Sequence, residues 1–177
     1  MKRDKAFLEM DGRPLAEQSL VVLQTVFSEV IISSNKPELF ARFEVPIIQD
    51  EILDRGPLEG LYQGLKAATY DEVFFVACDM PFLNAELIRT MAKWIGDYDI
   101  VVPKLQSDLH RLHAFYHRRC LPTIKSNLEA GRLKVNDLYL TCSVKYVGEA
   151  ELAEFSDLER VFCNVNTPQD WAAIHKR

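Results

Sequence analysis

Residues 72–82 read EVFFVACDMPF. From Val73 to Cys78 this stretch carries no charge, and its first half is β-branched and aromatic. Such a run suits a strand covered on both faces. A strand of that kind needs a layer above it and a layer below it, which points to helices packed on either side of a sheet. The run ends on Asp79, and Pro81 closes the strand. A carboxylate therefore emerges at the rim of a buried sheet.

Working outward, the apolar period switches repeatedly between that of a helix and that of a strand. Helices are predicted over 15–27, 36–43, 56–68, 84–96, 121–130 and 167–176. Strands are predicted over 29–34, 45–50, 72–80, 99–105, 111–119, 143–148 and 160–166. Pro57 falls in the first turn of its helix, where a missing N–H costs little. Asn84 has the chemistry of an N-cap, Gly131 that of a helix stop, and Thr167 followed by Pro168 that of a helix start. No repeat, linker or low-complexity segment interrupts the pattern. The expectation is a single α/β domain over 1–177, with a mainly parallel mixed sheet and helices on both faces.

The bulk numbers exclude several classes. A net charge of −5 without a basic stripe argues against nucleic acid as a partner. No apolar run approaches the roughly 18 residues of a membrane span, and the charged opening lacks the apolar core of a secretory signal. Cys78, Cys120, Cys142 and Cys163 are far apart and form no CxxC pair. That spacing favours reduced cytoplasmic thiols over a disulfide framework or a zinc site.

In open α/β sheets, chemistry collects at the carboxyl ends of strands. The first such end is IIQDE, with Asp50, followed by GPLEG, in which Gly56, Pro57, Leu58 and Gly60 open a helix. A helix start offers free N–H groups to an anion or a polar base edge; the same residues also make a plain turn and a capped helix. The second end carries Asp79, placed to hold Mg²⁺ shared with substrate phosphates, or simply to cap the next turn. The third is CNVNTPQD, where Asn164 and Asn166 flank Val165 and share one side. Amides suit a heterocycle because they both donate and accept, yet Asn166 and Thr167 could equally begin the last helix. His113 and His117 share a face of one strand and could line a pocket or be partly buried. Arg132 and Lys134 could hold a phosphate or be solvated.

Seven stretches, DKAFLEMDGRPL, IIQDE, GPLEG, CDMPF, LHAFY, LEAGRLKV and NVNTPQD, follow one another in an order that spans nearly the whole chain. This ordered set resembles the MobA-type molybdenum cofactor guanylyltransferases. The resemblance implies a Rossmann-like three-layer nucleotidyltransferase fold. It implies transfer of GMP from GTP to molybdopterin, with release of pyrophosphate and Mg²⁺ as cofactor. It assigns Lys5 and Asp79 to catalysis, with Asp79 as the metal ligand. Asp50 and the GPLEG helix start, with Gly56, Pro57, Leu58 and Gly60, fall to the nucleotide, and His113, Lys134, Asn164 and Asn166 to the pterin. It implies a cytoplasmic enzyme in transient contact with proteins that handle the molybdenum cofactor.

The family opens with a strand and a loop of the type LAGGxSxRMG that runs into the stretch holding Lys5. Here Met1 falls near the Met of that loop, so the expectation is a first strand missing from the middle of the sheet. Ser33 stands where some members have Asn. Two other readings stay open: a related nucleotidyltransferase using CTP or another acceptor, and a truncated binding subunit without catalysis.

Overall fold

The computed structural model describes residues 5–167, 169, 170 and 172. The chain begins with a 3-10 turn at Lys5–Phe7 and a short antiparallel hairpin, β1 (Glu9–Met10) and β2 (Arg13–Pro14). There follow α1 (Leu15–Val26), β3 (Ile32–Ser33), α2 (Pro37–Phe40), β4 (Ile47–Ile48), α3 (Pro57–Ala67) and β5 (Glu72–Val76). The second half holds α4 (Ala85–Met91), β6 (Ile100–Leu105), β7 (Asp108–Leu109), β8 (His113–His117), α5 (Leu121–Glu129), β9 (Val144–Val147) and α6 (Leu158–Val161).

The main sheet runs β5-β8-β6-β7, with β9 joined to β6. β8 pairs antiparallel with both β5 and β6, and β9 runs parallel to β6. The sheet is mixed, as expected, but antiparallel pairing dominates it: β8 turns straight back along β6, and this reversal sets the sense of β5 as well.

Because side chains alternate across a strand, each strand feeds two cores. Val73, Phe75, Ile100, Val102, Ala114 and Tyr116 pack with Leu58, Leu61 and Leu65 of α3 and Ile124 and Leu128 of α5. Phe74, Val76, Val101 and Phe115 face the other way, onto Leu87, Ile88 and Met91 of α4 and Leu23 of α1. This is the helix–sheet–helix layering expected from the uncharged run at 73–78. The layers lie close: a methyl on Gly64 would sit 2.5 Å from the Phe75 ring. Asn84 caps α4 as expected, its Oδ1 accepting from the amides of Glu86 at 2.9 Å and Leu87 at 3.0 Å.

Two expectations are corrected. Residues 160–166 are not a strand. Asp157 adopts a left-handed conformation (φ 67°), and its carbonyl accepts from the amides of Arg160 and Val161, which starts α6. The following segment is irregular and bonds the rim of the sheet through Val165 N–H to the Asp79 carbonyl, at 2.7 Å. The strands predicted over 29–34 and 45–50 shrink to two residues each. They pair in parallel with one another, with Ile32 N–H bonding Pro46 O and Ser34 N–H bonding Ile48 O. Among the described residues, β3 and β5 are each paired along one edge. Between them lies a cleft of about 900 Å³, lined by Leu20, Leu23, Ile32, Ser33, Phe74 and Asp79. The last predicted helix falls mostly outside the described residues. Its start is described: Thr167 Oγ1 accepts from Asp170 N–H, and the Asp170 carboxylate accepts from the amides of Asn166 and Thr167.

Candidate functional site

Asp79 follows the end of β5, where the chain leaves the sheet through a turn closed by Met80 N–H to Ala77 O. Its backbone is held from two sides, by Val165 N–H on its own carbonyl and by the buried Ser19 hydroxyl donating to the next carbonyl, Met80 O. The side chain is 16% exposed and opens on the cleft. A rigid backbone under a partly buried carboxylate is how a fixed negative charge is positioned.

Two distant segments converge on this carboxylate. Lys5 Nζ lies 3.9 Å from Asp79 Oδ2 and donates to Asn166 Oδ1. Lys5 and Asn166 are 161 residues apart. Leu8, Leu15, Phe82 and Val165 pack together beneath them, and this small apolar cluster draws the three segments to one place. The Asp170 carboxylate, held below its usual range chiefly by the Asn166 amide, fixes the backbone of Asn166. The trio of Lys5, Asp79 and Asn166 thus combines a cation, an anion and an amide at the end of a sheet strand. Such a set can neutralise phosphate charge and orient a polar ligand.

Asp50 sits at the end of β4. It is locked to Asn35, which follows β3: Asn35 Nδ2 donates to Asp50 Oδ2 at 2.8 Å, and Asp50 N–H donates to Asn35 Oδ1 at 2.9 Å. Asn35 was not singled out in the sequence; its signal was its place directly after the strand in IISSNK. Gly60 faces the end of β3, where a methyl on it would stand 3.7 Å from Ser33 Oγ. Gly56, at φ 63° and ψ −160°, occupies a region open essentially to glycine alone. This lets the chain turn sharply into α3 with Pro57 in its first turn and Leu58 buried in the core. Leu58 is therefore a packing residue, and a ligand can meet only the backbone there.

The remaining expected residues are not drawn into the trio. Asn164 is exposed two residues before Asn166. Lys134 is exposed and begins the 3-10 turn Val135–Leu140. His113 is fully buried, edge-on to Phe74 and Phe162, and neither ring nitrogen has a partner. Its strand position points it into the apolar layer beside α4, so it is not open to a pterin in this structure.

Burial, with a smaller contribution from nearby His110, drives the His113 pKa from 6.5 down to about 3. The unfolded chain therefore binds this proton more readily than the folded one. The stability this neutral imidazole provides is complete above pH 6.5 and declines from there down to about pH 3. Between pH 7.5 and pH 5 the expected loss is about 2 kcal/mol, from about 1.4 kcal/mol per pH unit below the unfolded value. Urea unfolding at the two pH values checks this, and His113→Phe should flatten the dependence.

A divalent cation fits this site only in part on protein groups. Asp79 offers a hard carboxylate oxygen, but among the described residues no cluster of three or more His, Cys, Asp or Glu side chains forms a self-sufficient cage. One carboxylate with the remaining positions left to phosphate and water is the usual manner for Mg²⁺.

Residues 1–139 match the family model described as the MobA-like NTP transferase domain. The chain is 38% identical over 170 residues to a probable molybdenum cofactor guanylyltransferase of Pelotomaculum thermopropionicum, covering 96% of this chain and 83% of that one. It is 33% identical over 170 residues to the molybdenum cofactor guanylyltransferase of Syntrophotalea carbinolica, covering 95% and 81%. Among solved structures it superposes on the molybdopterin-guanine dinucleotide biosynthesis protein A of Archaeoglobus fulgidus. The TM-score there is 0.82 at 22% identity, over 97% of this chain and 89% of that one.

Proposed function

The chain belongs to the family of MobA-like NTP transferases, and from that premise we propose that it transfers GMP from GTP to the terminal phosphate of molybdopterin. The products are molybdopterin guanine dinucleotide and pyrophosphate. The chain is a nucleotidyltransferase by family. The observation that supports a working site is the convergence of Lys5, Asp79 and Asn166 at the end of β5.

The attacking group in this reaction is already an anionic phosphate, so no strong general base is required. Alignment and charge neutralisation account for the rate. Lys5 balances the charge that builds on the phosphates as the α-phosphorus is attacked. Asp79 is the group that would hold Mg²⁺, which when bound draws charge from the phosphate oxygens and orients the leaving pyrophosphate. Asp50, held by Asn35, and the backbone at Gly56–Gly60 border the nucleotide. Asn166, with Asn164 and Lys134, faces the pterin. The reaction belongs to the cytoplasm, where GTP is supplied.

The test is release of pyrophosphate from GTP in the presence of Mg²⁺ and molybdopterin, measured for the purified protein against ATP and CTP. GTP should be preferred, and no release with any nucleotide would overturn the reading. Lys5→Ala should lower kcat by about 10- to 100-fold, with a smaller change in the KM for molybdopterin, because its charge is needed most in the transition state. Unchanged kcat would remove Lys5 from the phosphate role.

A further inference from the structure

The short parallel pair β3–β4 ends in a side chain where a backbone rung would stand. Its ladder runs from Ile32 N–H on Pro46 O to Ser34 N–H on Ile48 O, both at 2.9 Å. The amide that continues this ladder along β4 is that of Asp50, and it donates to Asn35 Oδ1 at 2.9 Å. The same side chain returns a bond, from Asn35 Nδ2 to Asp50 Oδ2 at 2.8 Å. The amide can sit only one way round, because the reverse would set oxygen against carboxylate and N–H against N–H. Asn35 is itself placed by its neighbours. Lys36 N–H bonds Ser34 Oγ at 3.2 Å across it, and Pro37 opens α2 two residues on.

This clamp settles how the Asp50 carboxylate can be used. Oδ2 is taken by Asn35, and among the described residues Oδ1 has no hydrogen-bond partner. The next residue is tied the other way: Glu51 Oε1 accepts from Lys66 Nζ of α3 at 2.5 Å. Rotation of the carboxylate and drift of its backbone are therefore both restrained. Asp50 is half-buried, and Ser34 and Ile48, beside the clamp, line the cleft that Asp79 also borders. A carboxylate held in this way presents one acceptor in a fixed place. An N–H or O–H donor on a ligand then meets it without having to order a free side chain.

We infer that Asn35 is a positioning residue for the nucleotide: it fixes Asp50 so that Oδ1 faces a hydrogen-bond donor on GTP before the nucleotide arrives. The inference rests on the proposed placement of Asp50 beside the nucleotide. Asn35 acts through Asp50 and touches no substrate itself. Its contribution is to the affinity for GTP and not to that for the acceptor.

Isothermal titration calorimetry of GTP with Mg²⁺ tests this as a double-mutant cycle on the full chain, with circular dichroism of each variant as the check on folding. Asn35→Ala should weaken GTP binding by about 10-fold, or about 1.4 kcal/mol. Asn35→Asp keeps the size of the side chain but sets a second carboxylate against Asp50, and should weaken binding at least as much. Asp50→Ala should weaken it by a similar or larger factor, and adding Asn35→Ala to that variant should change nothing further, within about twofold. A residue that merely joined β3 to β4 would act whatever stood at position 50. In steady state, Asn35→Ala should raise the KM for GTP by about 10-fold and leave the KM for molybdopterin within about twofold. Absence of GTP binding by the wild-type protein would overturn the functional reading as a whole. Binding unaffected by Asp50→Ala would overturn the placement of Asp50 at the nucleotide, and this inference with it. Binding weakened by Asp50→Ala but not by Asn35→Ala, or weakened equally by Asn35→Ala in both backgrounds, would overturn the role of Asn35 alone.

Discussion

Asp79→Asn should reduce guanylyl transfer by about 10²- to 10³-fold at saturating GTP and ordinary Mg²⁺, the size seen when one electrostatic group is removed from a phosphate or oxyanion site. The substitution keeps the shape of the side chain and removes its charge. Little of the fold depends on that charge. Its one described ion pair, with Lys5, is long, and the backbone of residues 79 and 80 is held by Val165 and Ser19, whatever the side chain. Steady-state kinetics over a range of Mg²⁺, with circular dichroism of the same sample, separate chemistry from folding. The variant should stay folded, and raised Mg²⁺ should recover only a small part of the rate. Wild-type turnover by folded Asp79→Asn would exclude the carboxylate as the metal ligand and leave Lys5 and Asn166 as a binding site alone.

Tyr116→Ala should lower unfolding stability by about 3–5 kcal/mol, the range for deleting a fully buried aromatic ring. Tyr116 is fully buried in the middle strand β8 and stands edge-on to Phe75, with ring centroids 5.7 Å apart. Its hydroxyl donates to Arg111 O at 2.8 Å and lies 3.3 Å from the Tyr139 hydroxyl. The alanine variant loses ring packing and leaves the Arg111 carbonyl to find another donor. Tyr116→Phe keeps the ring and should cost about 1 kcal/mol, the net worth of one hydrogen bond. Urea unfolding of the three proteins measures both differences. A loss below about 1 kcal/mol in the alanine variant would mean that the layer between α3, α5 and the sheet closes over the gap. With total stability of a domain at about 5–15 kcal/mol, the expected loss is a large share of the whole.

The two predictions differ in how far they could be read from sequence. Asp79 was legible because charge breaks an uncharged run at one point, and a strand delivers its last residues to the rim of the sheet. Gly56 and Asn84 were legible for a similar reason: a backbone turn and a helix cap are each decided within a few residues. His113 was not. Its neighbours fix its side of the strand, but period alone does not say whether that side meets a helix or a ligand. Only the packing of Phe74 and Phe162 settles that it is enclosed.

The run at 160–166 had the composition of a strand. Sheet formation also needs a neighbour in register, and what residue 165 finds there is a single carbonyl, that of Asp79. Asn35 escaped notice because its importance lies in a partner fifteen residues away.

The sequence by itself determined the alternation of helix and strand, the two-faced burial of the sheet, the ordered motifs of a nucleotidyltransferase and the candidate carboxylate at residue 79. These follow from period, from local capping and from where charge interrupts apolar runs, all short-range properties of the chain. Tertiary structure alone decided the sense of strand pairing, the enclosure of His113 and the meeting of Lys5 with Asn166 across 161 residues. The physical reason is that hydrophobic burial is non-directional. It tells a segment to hide one face, and only the competition among all segments for the same core fixes which residues meet.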